Sequence, residues 1–331
     1  MKYLITGGCG FIGSNFVRYL YKTYKDVEVV VLDKMTYAAN QETAKEFLTY
    51  PLTFIQGDIC DPIIVKQAME GVDVVVNFAA ESAVDRSISN PGSFLNTDVL
   101  GVYVLLHEAM KHKLHRFIQI STDEVYGQIM NGSFTEESEL KPRNPYAASK
   151  LGGDRLAYSY FVTYGVPVIV TRASNNYGPY SYPEKIIPLF ITNILEDQKL
   201  PLYGDGCQVR DWLFVEDHCR AIDLLIFRGF SGEVYNIGGN EEMSNVALAL
   251  KILFLMGEDV SRINFVKDRP GHDRRYSLDC SKIKQLGWEP IHSIEYGLQH
   301  TIDWYKRNDL WWREIKNKMD KRYVSGYWGQ T

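Results

Sequence analysis

The chain has 331 residues, 45% of them hydrophobic, and a formal net charge of −5. That is enough apolar material for a full core in one large domain or two closely joined ones, and it excludes a disordered chain. The charges are scattered, so no basic stripe marks a nucleic-acid binder, and a cytoplasmic enzyme acting on a small molecule is expected.

The first apolar run, in MKYLITGG, turns glycine-rich at Gly7, too early for a signal-peptide core. No later apolar run reaches membrane-spanning length, and no membrane partner is expected. Five cysteines (9, 60, 207, 219, 280) are odd in number and far apart, with no Cys-x-x-Cys pair, so neither a disulfide framework nor a zinc site is indicated. The seven histidines do not cluster. His218-Cys219 reads as a helix start, and no metal is predicted.

In chain order the apolar, β-branched runs are KYLIT, VEVVVLD, LTFIQGD, VDVVVNFAA, RFIQIS and VPVIVTRAS. Each is continuous, the pattern of parallel strands covered on both faces. Between them lie helix-length segments, among them Ser14–Lys25, Pro62–Glu70, Ser93–Lys111 and Pro145–Tyr164. Strands alternating with helices predict an α/β fold, a doubly wound parallel Rossmann sheet. After Asn175 the alternation weakens into NNYGPYSYPEK and LPLYGDG, a loop-rich region. A further run, GEVYNIGG at 232–239, reads as a strand returning to the main sheet. The expected division is a nucleotide-binding domain over 1–174, with 212–240 returning to it, and a smaller, interleaved C-terminal substrate-binding region over 175–211 and 241–331. The tail from Trp311, rich in aromatic and basic residues, is expected to pack across the outside of the fold.

The stretch ITGGCGFIGSN closes the first strand and opens the first helix, the context in which a glycine fingerprint signals a dinucleotide. Gly7, Gly10 and Gly13 allow a tight turn and close approach of backbone to a pyrophosphate at a helix N-terminus. Asp33, at the end of VVVLD, is placed to accept hydrogen bonds from the ribose hydroxyls and to repel a 2′-phosphate, which favours NAD over NADP. Asp58, in QGDI, is placed near the adenine edge.

In NPYAASK, Tyr146 and Lys150 stand four apart on one face of a predicted helix. An ammonium beside a phenol favours the phenolate, which makes a base able to take a hydroxyl proton.

Together TGGCGFIG, ISTDEVYG, NPYAASK, TRASNNYGPYSYPEKIIP, LYGDGCQVRDWLFVEDHCRA, EVYNIGG and DRPGHDRRY resemble the extended short-chain dehydrogenase/reductases and, within them, the dTDP-glucose 4,6-dehydratases. The resemblance spans nearly the whole chain. It implies NAD-dependent oxidation of a hexose at C4, loss of water from C5 and C6, and return of the hydride to C6. Under it Asp123 is the acid that protonates the leaving hydroxyl and Glu124 the base that takes the C5 proton. Thr122 hydrogen-bonds the C4 oxygen beside Tyr146. It carries further cofactor contacts to Phe11, Ile12, Lys34, Thr36, Ile59, Ala79, Ala80 and Asn176. Substrate contacts fall on Ser82, Asn175, Glu184, Pro201, Tyr203, Asn245 and His272. Arg210 and Arg269, with Lys185, are candidates for the diphosphate, because a guanidinium offers it paired hydrogen bonds.

Two departures from the family pattern stand out. Ala83 replaces a histidine in ESAVDRS, and Asp98 in NTDV puts an acid where an amide is usual. Both leave room for another nucleotide sugar, such as a UDP-linked one. A sugar-nucleotide 4-epimerase would share the glycines, Thr122, Tyr146 and Lys150 but would not need Asp123 and Glu124. A simple dehydrogenase that releases NADH, or a non-catalytic NAD-binding protein, are the remaining readings. The family also implies a homodimer.

Overall fold

A computed structural model of the protein describes residues 1–319. Six strands follow the sequence runs closely: β1 (Lys2–Thr6), β2 (Glu28–Asp33), β3 (Thr53–Gln56), β4 (Val74–Asn77), β5 (Arg116–Thr122) and β6 (Val168–Ala173). β4 is shorter than VDVVVNFAA, because the chain leaves the sheet after Asn77. Among the strands that follow, β7 (Asn175–Tyr177), β8 (Leu200–Tyr203), β9 (Val209–Phe214), β10 (Val234–Ile237), β11 (Glu242–Ser244) and β12 (Ile263–Val266), only β10 joins the main sheet. The order is β10-β6-β5-β4-β1-β2-β3, and every pairing is parallel. The GEVYNIGG segment thus returns to the sheet through β10, with Val234 to Ile237 in register with Val170 to Ala173.

Residues on alternate faces of these strands fill two apolar cores. One holds Ile5, Val31, Val76 and Ile118 with Phe16 and Leu20 of the helix Phe11–Thr23. The other holds Leu4, Val30, Val75 and Phe117 with Leu105 and Ala157. Burial on both faces is why the strands read as unbroken apolar runs.

The region beyond β6 has a separate core, with Trp212, Phe190, Leu248, Leu298 and Trp312. Around it β11-β9-β7 form one small sheet and β12-β8 another. In the tail, Trp312 is fully buried, and its indole N–H donates to the Tyr305 carbonyl at 2.9 Å. Helix Asp309–Lys318 therefore packs on this core through Trp312 and leaves most of its other side chains at the surface. The end of the tail lies outside the described residues.

The segment expected as one helix over Ser93–Lys111 forms Pro91–Leu95 and Val102–Ala109, joined by a π-helical turn over Asn96–Gly101. The wider turn accommodates the neighbouring helix: the Asp98 carbonyl lies only 2.4 Å from where a Cβ on Gly153 would stand.

Candidate active site

Chain order reverses direction across the sheet at β1, whose neighbours are β2 and β4. Ligands of open parallel sheets bind beyond the strand ends at such a point. A cleft opens there, its two halves sharing Gly7, Gly10, Ala38, Phe78 and Ala80.

The glycines shape its floor. Gly7 has φ +66°, and a Cβ on it would stand 2.7 Å from the Ala79 nitrogen; a Cβ on Gly13 would stand 2.4 Å from the Gly7 carbonyl oxygen. Any side chain at either position would push strand and helix apart. Helix Phe11–Thr23 starts at Gly10 with no side-chain cap, which leaves its first N–H groups and the positive end of its dipole to the cleft.

Asp33 ends β2 with one carboxylate oxygen accepting from the Cys9 N–H and the other from the Met35 N–H, both at 2.8 Å. Burial raises its pKa, against the pull of these two N–H groups. Lys34 and Asp58 pair at 2.6 Å. Burial acts to raise the Asp58 pKa, but Lys34 and the Cys60 N–H outweigh it and hold the carboxylate below its ordinary value. Thr36, Ile59 and Ala79 line this half with them, while Phe11 and Ile12 line the other. A glycine cradle, an open helix end and an acid at the end of β2 suit a dinucleotide without a 2′-phosphate.

At the end of β5 the strand empties into a single 3-10 turn, Asp123–Tyr126, capped by Thr122, whose hydroxyl oxygen accepts the Glu124 N–H at 3.2 Å. Thr122 donates to Oδ1 of Asp123 at 3.1 Å. Oδ2 of Asp123 is buried without a partner at the cleft wall. Burial first, and then the neighbouring Glu124 charge, push the Asp123 pKa up to about 8. Glu124 is tethered from the other side by the Asn144 amide, which donates at 3.0 Å. One carboxyl whose pKa is raised thus stands beside a second that an amide holds in place, an arrangement suited to paired acid and base work.

Tyr146 and Lys150 both face the cleft from helix Pro145–Tyr164. The electrostatics differ from the simple expectation of a lowered phenol pKa. Burial, with the Glu124 and Asp98 charges behind it, pushes the Tyr146 phenol well above its usual value. Lys150 donates from Nζ to the Ile120 carbonyl at 2.7 Å, and burial lowers its pKa while Asp98 opposes that. Spacing placed the pair on one face but carried no information about burial. The departing residue Asp98 sits in the π-turn, where it accepts from the Ser149 hydroxyl at 2.7 Å and the Glu81 N–H at 3.1 Å. Ala83, the other departure, lines the half of the cleft that holds Tyr146 and Lys150.

Every expected substrate residue borders that half: Ser82, Asn175, Glu184 and Lys185, then Pro201, Tyr203, Arg210 and Asn245, and finally Arg269 and His272. Several are already engaged by protein partners. Arg210 donates to the Val209 and Asp273 carbonyls at 2.7 and 3.0 Å and stacks over Tyr276. Arg269 lies 3.6 Å from Asp85, and Lys185 donates to the Ser82 carbonyl at 2.6 Å. His272 pairs with Asp268 at 2.6 Å, and burial pulls its pKa down to about 4.

One residue taken from sequence only as a helix start also reaches the cleft. Asn176 donates to the Ser174 carbonyl at 3.0 Å, so its oxygen faces His218 Nδ1 at 2.8 Å. That fixes the proton on Nδ1 and leaves Nε2 buried and unpartnered. Burial lowers its pKa to about 3, so the ring is neutral. Its place four residues into a helix, on the inward face, was the available signal. Among the described residues no cluster of His, Cys, Asp and Glu could hold a metal.

A family model described as GDP-mannose 4,6 dehydratase matches residues 4–301. The chain belongs to that family. It is 48% identical over 325 residues to a dTDP-glucose 4,6-dehydratase of Streptomyces niveus, covering 96% of each chain. A crystal structure of DesIV, a dTDP-glucose 4,6-dehydratase from Streptomyces venezuelae with NAD and TYD bound, superposes with a TM-score of 0.92 at 48% identity, over 95% of this chain and 100% of that one. A UDP-glucuronic acid 4-epimerase from Bacillus cereus, solved with its substrate and NAD, superposes almost as well, with a TM-score of 0.88 over 93% of this chain and 99% of that one, but at 29% identity. The shared fold therefore does not choose between dehydration and epimerisation.

Proposed function

We propose that this protein is an NAD-dependent nucleotide-sugar 4,6-dehydratase that converts dTDP-glucose to dTDP-4-keto-6-deoxyglucose and water. The observation that carries the reading is the Asp123–Glu124 pair, one carboxyl held protonated with a free oxygen at the cleft wall, the other anchored by Asn144. The 48% identity to dehydratases over nearly the full chain supports the same choice.

When bound, NAD supplies an acceptor for the C4 hydride, a store from which it returns to C6, and a positive ring charge that favours a nearby phenolate. Tyr146 receives the C4 hydroxyl proton, with Lys150 fixed beside it by the Ile120 carbonyl and Thr122 at the C4 oxygen. The C4 ketone acidifies the C5 hydrogen, which Glu124 removes. Asp123 gives its proton to the C6 hydroxyl, which leaves as water. The hydride then goes to C6 and a proton to C5. Across the cycle there is no net redox change. Arg210 and Arg269 neutralise the diphosphate.

The test is to offer dTDP-glucose and UDP-glucose to the purified enzyme and identify products by mass and NMR. A product lighter by one water, formed faster from the dTDP sugar, is expected. A C4 epimer of unchanged mass would refute the assignment.

The proposal includes a homodimer. Helices Val102–Ala109 and Pro145–Tyr164 pack side by side, and their outer faces expose Tyr103, Tyr158 and Val162 beside Leu100. Such a patch suits a self-complementary contact. Light scattering should give twice the chain mass for the wild type and a smaller species for Val162→Glu; a monomeric wild type would remove this part. A cytoplasmic location is also proposed. The five thiols, all free, suit a reducing compartment. Among the described residues no helix is long and apolar enough to cross a membrane.

A further inference from the structure

The reaction proposed above removes a hydride in one step and returns it in a later one, so the cofactor must not leave between them. The cleft carries a feature that addresses this. After β2 the chain forms a loop whose Lys34 and Thr36 face the cofactor half of the cleft and whose Ala38 borders both halves. Tyr37 of this loop lays its ring 3.7 Å from the guanidinium carbon of Arg86 and meets the ring of Tyr182 edge-on, with centroids 5.7 Å apart. Arg86 stands on the short helix Val84–Ser89, just past β4. Its Nη2 and Nε both donate to one oxygen of Glu184, at 3.0 and 3.3 Å. Glu184 belongs to the loop that follows β7, and its side chain is 4% exposed. Two flanking ties run in parallel, from Lys185 to the Ser82 carbonyl and from Arg269 to Asp85.

One guanidinium thus joins the cofactor loop, the end of β4 and the substrate loop. We propose that Arg86 is a latch: stacked on Tyr37 and paired with Glu184, it closes the junction of the two cleft halves and sets how long NAD stays bound. A planar guanidinium can stack and donate at once, which a lysine cannot. Loss of Arg86 would leave the Glu184 carboxylate in its buried place without this partner, a strongly unfavourable state that the loop relieves by opening. The inference rests on the hydride-return reading only for its purpose; the retention itself concerns NAD alone.

The experiment measures NAD release from the holoenzyme without any sugar, by dilution into an excess of a fluorescent etheno analogue. Arg86→Ala is expected to release NAD at least about ten-fold faster than wild type, an effect on dissociation rather than association. Tyr37→Ala, which keeps the ion pair but removes the stack, should shift the rate in the same direction, whereas Tyr37→Phe should not. An Arg86→Ala protein with native circular dichroism and a wild-type release rate overturns the latch. If that variant does not fold, Tyr37→Ala decides, and an unchanged rate there overturns it equally. During turnover, Arg86→Ala should also shed reduced cofactor into solution, detectable by its nicotinamide absorbance. An error in the sugar assignment would abolish only this last signal and leave the release rates as they are.

Discussion

In the seven-stranded layer the site is made of backbone: a left-handed Gly7, the uncapped first turn at Gly10, and amide groups that clamp Asp33. In the overlying region it is made of long side chains, and each is held by a partner from a distant segment. Arg210 leans on the Asp273 carbonyl, Lys185 on Ser82 and Glu184 on Arg86. A cofactor common to many enzymes can be gripped by geometry any strand-turn-helix supplies. A particular sugar needs directional charge, and that requires a second core to fix the loops in place. The acid pair lies at the join, in the turn just past the end of β5, on the wall of the shared cleft.

The sharpest way to break this division is to alter the join. Glu124→Gln should leave NAD binding and C4 oxidation measurable while lowering turnover roughly a hundred- to ten-thousand-fold, with no entry of solvent deuterium at C5. Tyr146→Phe should be equally slow but should fail earlier, with no cofactor reduction. If the Gln variant exchanged deuterium normally, Glu124 could not be the base.

A second test separates the two cores. Trp312→Ala removes a fully buried indole from the outer region and should lower stability by about 3–5 kcal/mol. Its effect should fall on the KM for the nucleotide sugar, with NAD affinity in the folded protein little changed. An equal loss for both ligands would merge the two regions into one unit.

The mildest expected effect is on pH. Asp123 has a folded pKa of about 8 against an ordinary 3.8, so the fold binds its proton more tightly than the unfolded chain does. Its contribution to stability is full below the ordinary value and is lost as pH rises through about 8. The acid form needed for water loss disappears in the same upper range. Water elimination should therefore fall on the alkaline side, and Asp123→Asn should remove that limb from the elimination step. An unchanged limb in the variant would assign it elsewhere.

The sheet was legible in the sequence because burial on both faces writes itself as unbroken runs such as VVVLD and RFIQIS. The glycine turn was legible because Gly7 and Gly13 have no sterically permitted substitutes. The π-turn at Asn96–Gly101 was not: it packs closely on Gly153, a residue far along the chain. The tail was only partly legible: its composition suggested a segment laid across the outside of the fold but not that Trp312 would be the residue pointing inward. Nor could spacing show that Tyr146 is pushed up rather than down, since that depends on burial and on the charges of Glu124 and Asp98, both distant from it in sequence. Residues whose role follows from local backbone were readable; those defined by contacts over long separations, such as Arg86 with Glu184, were not.

The central claim is that a hydride borrowed from C4 is returned within the same molecule to C6. The direct measurement is to feed the enzyme dTDP-glucose carrying deuterium at C4 and examine the product by NMR and mass spectrometry. The account predicts deuterium in the C6 methyl group, with none lost to solvent. A methyl group free of the label, in a product that has nonetheless lost water, would contradict it.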